Sequence, residues 1–251
     1  MPTGSIARPM KLSSAAGPGG LKWRLLSAMR YRLMKPFTVL RDSLYFFRLH
    51  LLGIAKLCLP VVFLEALCTH LVLQQLGENA GYGYGMLVSL LFYPLYTAGL
   101  ILYLDTRSQG QEIALRNLFA RAVHLWPQMA LLVLLGSLLI MAGLTLFILP
   151  GVWIMLKLAF ADFLVVLRGR PVLQAMRDSA NLTSGHLLTI LICMLSVLAP
   201  LWLIDGLLLM AFPDAQAGVM IAIDSVGGFL QLFSTVVLFR LFMLREAQLP
   251  A

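Results

Sequence analysis

Six ionisable side chains fall inside long apolar stretches of the chain: Lys56, Glu65, Lys157, Asp162, Asp205 and Asp224. A charge placed in hydrocarbon costs about 2.5–3.5 kcal/mol on insertion scales, so such residues mark polar sites by default. Asp205 and Asp224 flank one short connection, which sets them at similar depth on adjacent antiparallel helices, with Glu65 and His70 at the same level. That pattern suits a polar cavity open at one end, in which a carboxylate pair binds a cation or exchanges a proton. Lys157, six residues after Gly151, is a candidate to neutralise one of the carboxylates. The competing reading is that these acids lie close enough to the headgroups to be hydrated. Asp162 is eleven residues past Gly151 and near the bilayer centre. Lys157 lies about 140° from it around a helix, so the two need not pair.

Other chemistries find little support. Cys58, Cys68 and Cys193 sit singly in apolar runs, with no metal-ligand spacing, and read as small core residues. Ser179 and His186 are seven apart, but Gly185 stops the helix between them, and Asn181, Thr183 and Ser184 are ordinary cap residues. No metalloprotease, nucleophile-elbow or phosphate-loop motif is present, and the GYGYG stretch at 81–85 is an interfacial aromatic loop. The expectation is no catalytic residue, no metal and no cofactor. His50 and His186 directly precede apolar runs, where an interfacial anchor is favoured over a pH sensor.

The elements that hold these residues follow from composition. With 60% hydrophobic and 12% charged residues, the 251-residue chain is far from the soluble norm of about 25% charged. Its mean hydropathy is +0.89. Six runs approach the roughly 20 residues a bilayer requires: about 50–75, 84–104, 127–148, 151–168, 187–211 and 219–243. They define an all-α polytopic membrane domain over 37–246, preceded by a basic tail at 1–36 and followed by a short tail at 247–251. Residues 1–20 are expected to be disordered. Residues 21–35 form either a cationic helix suited to an anionic surface or an unstructured tail. The tail reads as an uncleaved extension; an organelle transit peptide, or translation starting at Met34, are the alternatives.

Charge placement orients the spans. Of 19 Lys and Arg residues, 17 precede the first run, lie between runs two and three or four and five, or mark the end of the last. The opposite connections carry only Glu78 and Asp214. The positive-inside rule then puts both termini in the cytoplasm and makes the excess charge of +8 a topological signal rather than one for nucleic acid. A turn at Pro150-Gly151 makes runs three and four a hairpin on the outer side. Pro60, Pro94 and Pro200 lie within runs, where they can kink helices, and Gly227-Gly228 permits close helix approach.

Two segments between runs are amphipathic: 112–123, through Leu115, Leu118, Phe119 and Ala122, with a Glu112–Arg116 pair on the polar face, and 171–183, through Val172, Leu173, Met176 and Ala180. Both are expected to lie in the inner interface, as is a third before the first run. RDSLYFFRLHLLGI at 41–54 and RDSANLTSGHLLTI at 177–190 agree at seven of fourteen positions, and 114–117 gives a weaker third copy. The unit would be interfacial helix, span out, span back, repeated in parallel over about 38–105, 106–168 and 170–245. Chance similarity among Leu-rich segments is the alternative.

Arg41-Asp42 with Phe46-Phe47-Arg48, Leu149-Pro150-Gly151, QAMRDSANLT at 174–183 and LFRLFML at 238–244 occur in an order and spacing that resemble the YciC-like family of bacterial inner-membrane proteins. A more distant similarity, mainly over 149–186, is to the membrane domain attached to some glycerophosphodiester phosphodiesterases. The family likeness implies a six-span plasma-membrane protein and no established activity. Asp162 departs from it, standing where an apolar residue or proline is expected. The expected function is non-enzymatic, in envelope or lipid-related homeostasis. Anionic headgroups are the main partners, met by Arg41, Arg116, Arg121, Arg168, Arg170 and Arg177. A membrane-protein partner or a second copy is also compatible. The rival is a small transporter or lipid-moving protein using the intramembrane carboxylates.

Overall fold

The computed structural model describes residues 36–76, 81–111, 113–211 and 216–247. The basic tail with its 21–35 segment, Glu78, Glu112 and Asp214 lie outside them. Among the described residues eight helices follow one another: α1 Pro36–Leu76, α2 Gly81–Ser108, α3 Leu115–Leu146, α4 Ile148–Leu158, α5 Ala161–Arg168, α6 Val172–Leu182, α7 Leu187–Ala211 and α8 Ala217–Glu246. Counting α4 and α5 together, six helices are long and apolar enough to cross a membrane. Leu52, Leu149 and Met210 are 76%, 83% and 82% exposed, as side chains facing lipid are. Hydrocarbon takes the place of a buried core for those faces.

Neighbours in sequence pack as antiparallel pairs, and α1 lies along α8, so the first and last helices close the bundle. Gly143 and Gly151 hold the α3/α4 hairpin together. A Cβ on Gly143 would come within 2.9 Å of the Gly151 Cα, so the two backbones touch. The turn itself is at Phe147, in extended conformation. Pro150 and Gly151 are already inside α4, since Pro is as well suited to a first helical turn as to a bend. Trp126 donates its indole N–H to the Leu91 carbonyl at 2.8 Å, three residues before Pro94, where the proline opens the α2 ladder.

The amphipathic segments before the first and third spans are not separate helices. Residues 36–76 form one helix, continuous through Gly53, and 115–146 another. The 171–183 segment does form its own helix, α6, bounded by Gly169 (φ 58°) and Gly185 (φ 84°) in the left-handed region. Val172, Ala175, Met176 and Ser179 are buried, while Leu173 is 65% exposed and lies off the packed face. The aromatic core sits where α5 meets α8: Phe163 stacks on Phe242 at 5.4 Å, and Phe160 meets Phe242 edge-on at 5.8 Å.

Candidate functional site

The fourth span is broken. Its ladder stops at Leu158 and resumes at Ala161, although Ala159 and Phe160 are neither glycine nor proline. Ser179 of α6 makes the break tolerable. Its hydroxyl donates to the Lys157 carbonyl at 2.7 Å and accepts the Phe160 N–H at 3.1 Å, so two backbone groups freed by the break are satisfied. The Lys157 ammonium donates to the Ala180 carbonyl at 3.0 Å and the Ser184 hydroxyl at 2.6 Å, and lies 5.4 Å from the Trp153 ring centroid. Asp162 is in the first turn of α5, where a carboxylate complements the positive end of the helix dipole. That gives this acid a structural reason for standing in an apolar run.

Two sequence-based expectations change here. Lys157 pairs with none of the intramembrane carboxylates: its ammonium bonds to Ala180 and Ser184 at the end of α6, which docks against the break. Asp162 is likewise not grouped with Asp205 and Asp224. The other acids gather toward the opposite ends of their helices. Asp205 and Asp224 line one cavity of about 220 Å³ with Trp202 and Gln231. Asp224 is 2.8 Å from the His70 imidazole Nε2. Gly227 leaves room for Asp205, whose Oδ1 would lie 3.3 Å from a Cβ there. Glu65 accepts from Ser89 at 2.6 Å and from Tyr96 rather than facing the aspartates. Among the described residues, no three His, Cys, Asp or Glu side chains group as metal ligands.

The basic end contains two larger cavities. One, of about 650 Å³, is bounded by α5, α6 and α8 and lined by Arg168, Arg170, Asp178, Asn181, Arg245 and Glu246. Its charges close on themselves: Arg168 pairs with Glu246, Arg170 lies 3.9 Å from Asp178, and Arg245 donates to the carbonyls of Leu182 and Ser184 at 3.1 and 3.2 Å. Burial, and then the Arg245 guanidinium, hold the His186 imidazole below its ordinary value. The other cavity, of about 530 Å³, is lined by α1 and α8 with Ser108 at the end of α2, and contains Arg41, Asp42 and Arg240. Arg116, Arg121 and Arg177 are exposed and line none of these cavities.

A model of the uncharacterised protein family UPF0259 matches residues 83–244. The chain belongs to this family. UPF0259 membrane proteins of Yersinia pestis (strain Pestoides F) and Yersinia pseudotuberculosis (serotype O:3, strain YPIII) are each 27% identical to it over 157 residues. That stretch is 60% of this chain and 59% of each relative. No solved structure matches the chain. The family is the YciC-like one that the motifs resemble, and its members are membrane proteins of uncharacterised activity. The matched region in this UPF0259 chain takes in the broken span, Ser179 and both aspartates of the small cavity.

Sequence reasoning placed Asp205 with Asp224 and gathered the arginines at one end. It missed the part played by Ser179 and the bonds of Arg245 to the Leu182 and Ser184 carbonyls. For Ser179 there was a signal, since Lys157 and Asp162 within five residues of one apolar run imply a local polar partner from elsewhere in the chain.

Proposed function

We propose that this UPF0259 protein lies in the bacterial inner membrane with both termini in the cytoplasm. We infer that it serves envelope or lipid homeostasis by contact with anionic lipid headgroups rather than by catalysis. The observation that supports this is the division of charge between the ends of the bundle. Arg41, Arg116, Arg121, Arg177 and Arg240 are exposed toward the connections that carry the basic residues, and Asp205 and Asp224 occupy the far ends of their helices. Each arginine near an anionic leaflet contributes about 1 kcal/mol of attraction. A second reading draws on the cavity shared by Asp205 and Asp224, which suits passage of a cation or proton. It predicts that Asp205→Asn with Asp224→Asn abolishes a cellular phenotype that charge reversal at Arg116 and Arg177 leaves alone.

The test is extraction of the protein in native lipid discs followed by mass spectrometry of the lipids. Enrichment of anionic lipid over the bulk membrane is expected; bulk composition would contradict the proposal. The orientation is tested separately with Gln111→Cys in a chain whose Cys58, Cys68 and Cys193 are replaced by alanine. Labelling only after the inner face is opened is expected, and labelling of intact cells would reverse the topology.

A further inference from the structure

We propose that the crevice between α1 and α8 at the basic end is a specific binding site for an anionic membrane lipid. Its phosphate is held by Arg41, Ser43 and Arg240, and its acyl chain runs along Phe46, Val236 and Phe239. This rests on the headgroup reading above and narrows it to one place.

Two independent observations meet there. The first is a hydroxyl with nothing to bind. Ser43 lines the crevice, is 2% exposed, and its Oγ has no hydrogen-bond partner among the described residues. Serines elsewhere in these helices return their hydroxyl to a carbonyl of their own helix, as Ser137, Ser196, Ser225 and Ser234 do. A buried hydroxyl left unpaired is costly, and an anionic oxygen in the crevice would satisfy it. The second is unused positive charge. Arg41 forms no ion pair among the described residues, and Arg240 has one long ion pair, 3.9 Å to Asp42. Among the described residues, Asp42 is the one acid lining the crevice against these two guanidinium groups. The neighbouring 650 Å³ cavity shows the alternative, in which arginines are already bonded to Glu246 and backbone carbonyls.

A lipid rather than free phosphate fits because aromatic and aliphatic side chains form the walls, and Tyr45 beside them is 71% exposed at the bundle surface. The charged rim takes the headgroup. The apolar walls would take the acyl chain.

The experiment is native mass spectrometry of the full chain in detergent, titrated with phosphatidylglycerol, phosphatidylcholine and inorganic phosphate. Wild type is expected to prefer phosphatidylglycerol. Arg41→Gln with Arg240→Gln should weaken it about 25-fold, at roughly fivefold per arginine. Ser43→Ala should weaken it about fivefold, and this mild change keeps the proposal testable if the double variant folds poorly. Arg116→Gln with Arg121→Gln is the control and should change binding less than twofold. If the control weakens binding as much as the crevice variants, attraction is diffuse, and the site fails while the headgroup reading stands. If wild type does not distinguish phosphatidylglycerol from phosphatidylcholine, the headgroup reading fails too. Inorganic phosphate binding as tightly as the lipid would overturn the lipid as occupant.

Discussion

Arg-Asp-Ser occurs at 41–43 and again at 177–179, and the two copies are used in opposite ways. At 179 the serine is inside the fold's own hydrogen bonding, bridging Lys157 and Phe160 across a broken helix. At 43 the serine is equally buried but has no partner among the described residues, beside a crevice in which Arg41 forms no ion pair with them. Among the seven positions at which the copies differ, Leu49 of the first corresponds to Gly185 of the second, and Gly185 adopts φ 84°, whereas α1 runs straight on. With Gly169 at its other end, Gly185 bounds a short helix that folds back against α4 and α5. The comparison teaches that a repeated triplet sets which atoms are available, while the local backbone decides whether they bind the chain or something outside it.

The same substitution in the two copies gives the sharpest contrast. Ser179→Ala leaves the Phe160 N–H and the Lys157 carbonyl without their partner, and should destabilise the protein by about 1–3 kcal/mol, read as a lower unfolding midpoint in detergent. An unchanged midpoint would mean that the break does not depend on Ser179. Acidification should have a smaller effect, read here at His186 of the second copy. His186 is held below its ordinary value of 6.5 in the folded chain, so the unfolded chain takes up the proton first. The stability from its neutral form is full above pH 6.5 and is lost as pH falls through the lowered folded value. His186→Gln should flatten that shallow decline in unfolding midpoint between about pH 7 and 5. Smallest of all, Ser43→Ala removes a hydroxyl that bonds to nothing, and without lipid its midpoint should stay within about 0.5 kcal/mol of wild type.

The six spans were legible because hydrocarbon selects long apolar runs, and a run needs no distant partner to be recognised. The arginine-rich end was legible for the same local reason. The break in the fourth span was not, since Leu158, Ala159 and Phe160 hold no helix breaker and the deciding group, Ser179, comes from another helix. Lys157 was assigned to the carboxylates on charge alone, but the fold puts carbonyl and hydroxyl acceptors nearer. Pro150-Gly151 read as a turn because those residues serve bends and first helical turns alike. Asp162 had no local explanation while its span was taken to be a single helix; the break puts it in the first turn of α5, where an acid suits a helix N-terminus.

The division of labour between the copies is tested most directly by measuring the unfolding midpoints of wild type, Ser43→Ala and Ser179→Ala with and without saturating phosphatidylglycerol. Ligand that binds only the folded state raises the midpoint. Ser179→Ala should start lower yet keep the full lipid-induced rise, and Ser43→Ala should start at the wild-type value and show a rise smaller by about 1 kcal/mol, the equivalent of fivefold weaker binding. A Ser43→Ala protein that keeps the full rise, or two variants that lose it equally, would contradict the account.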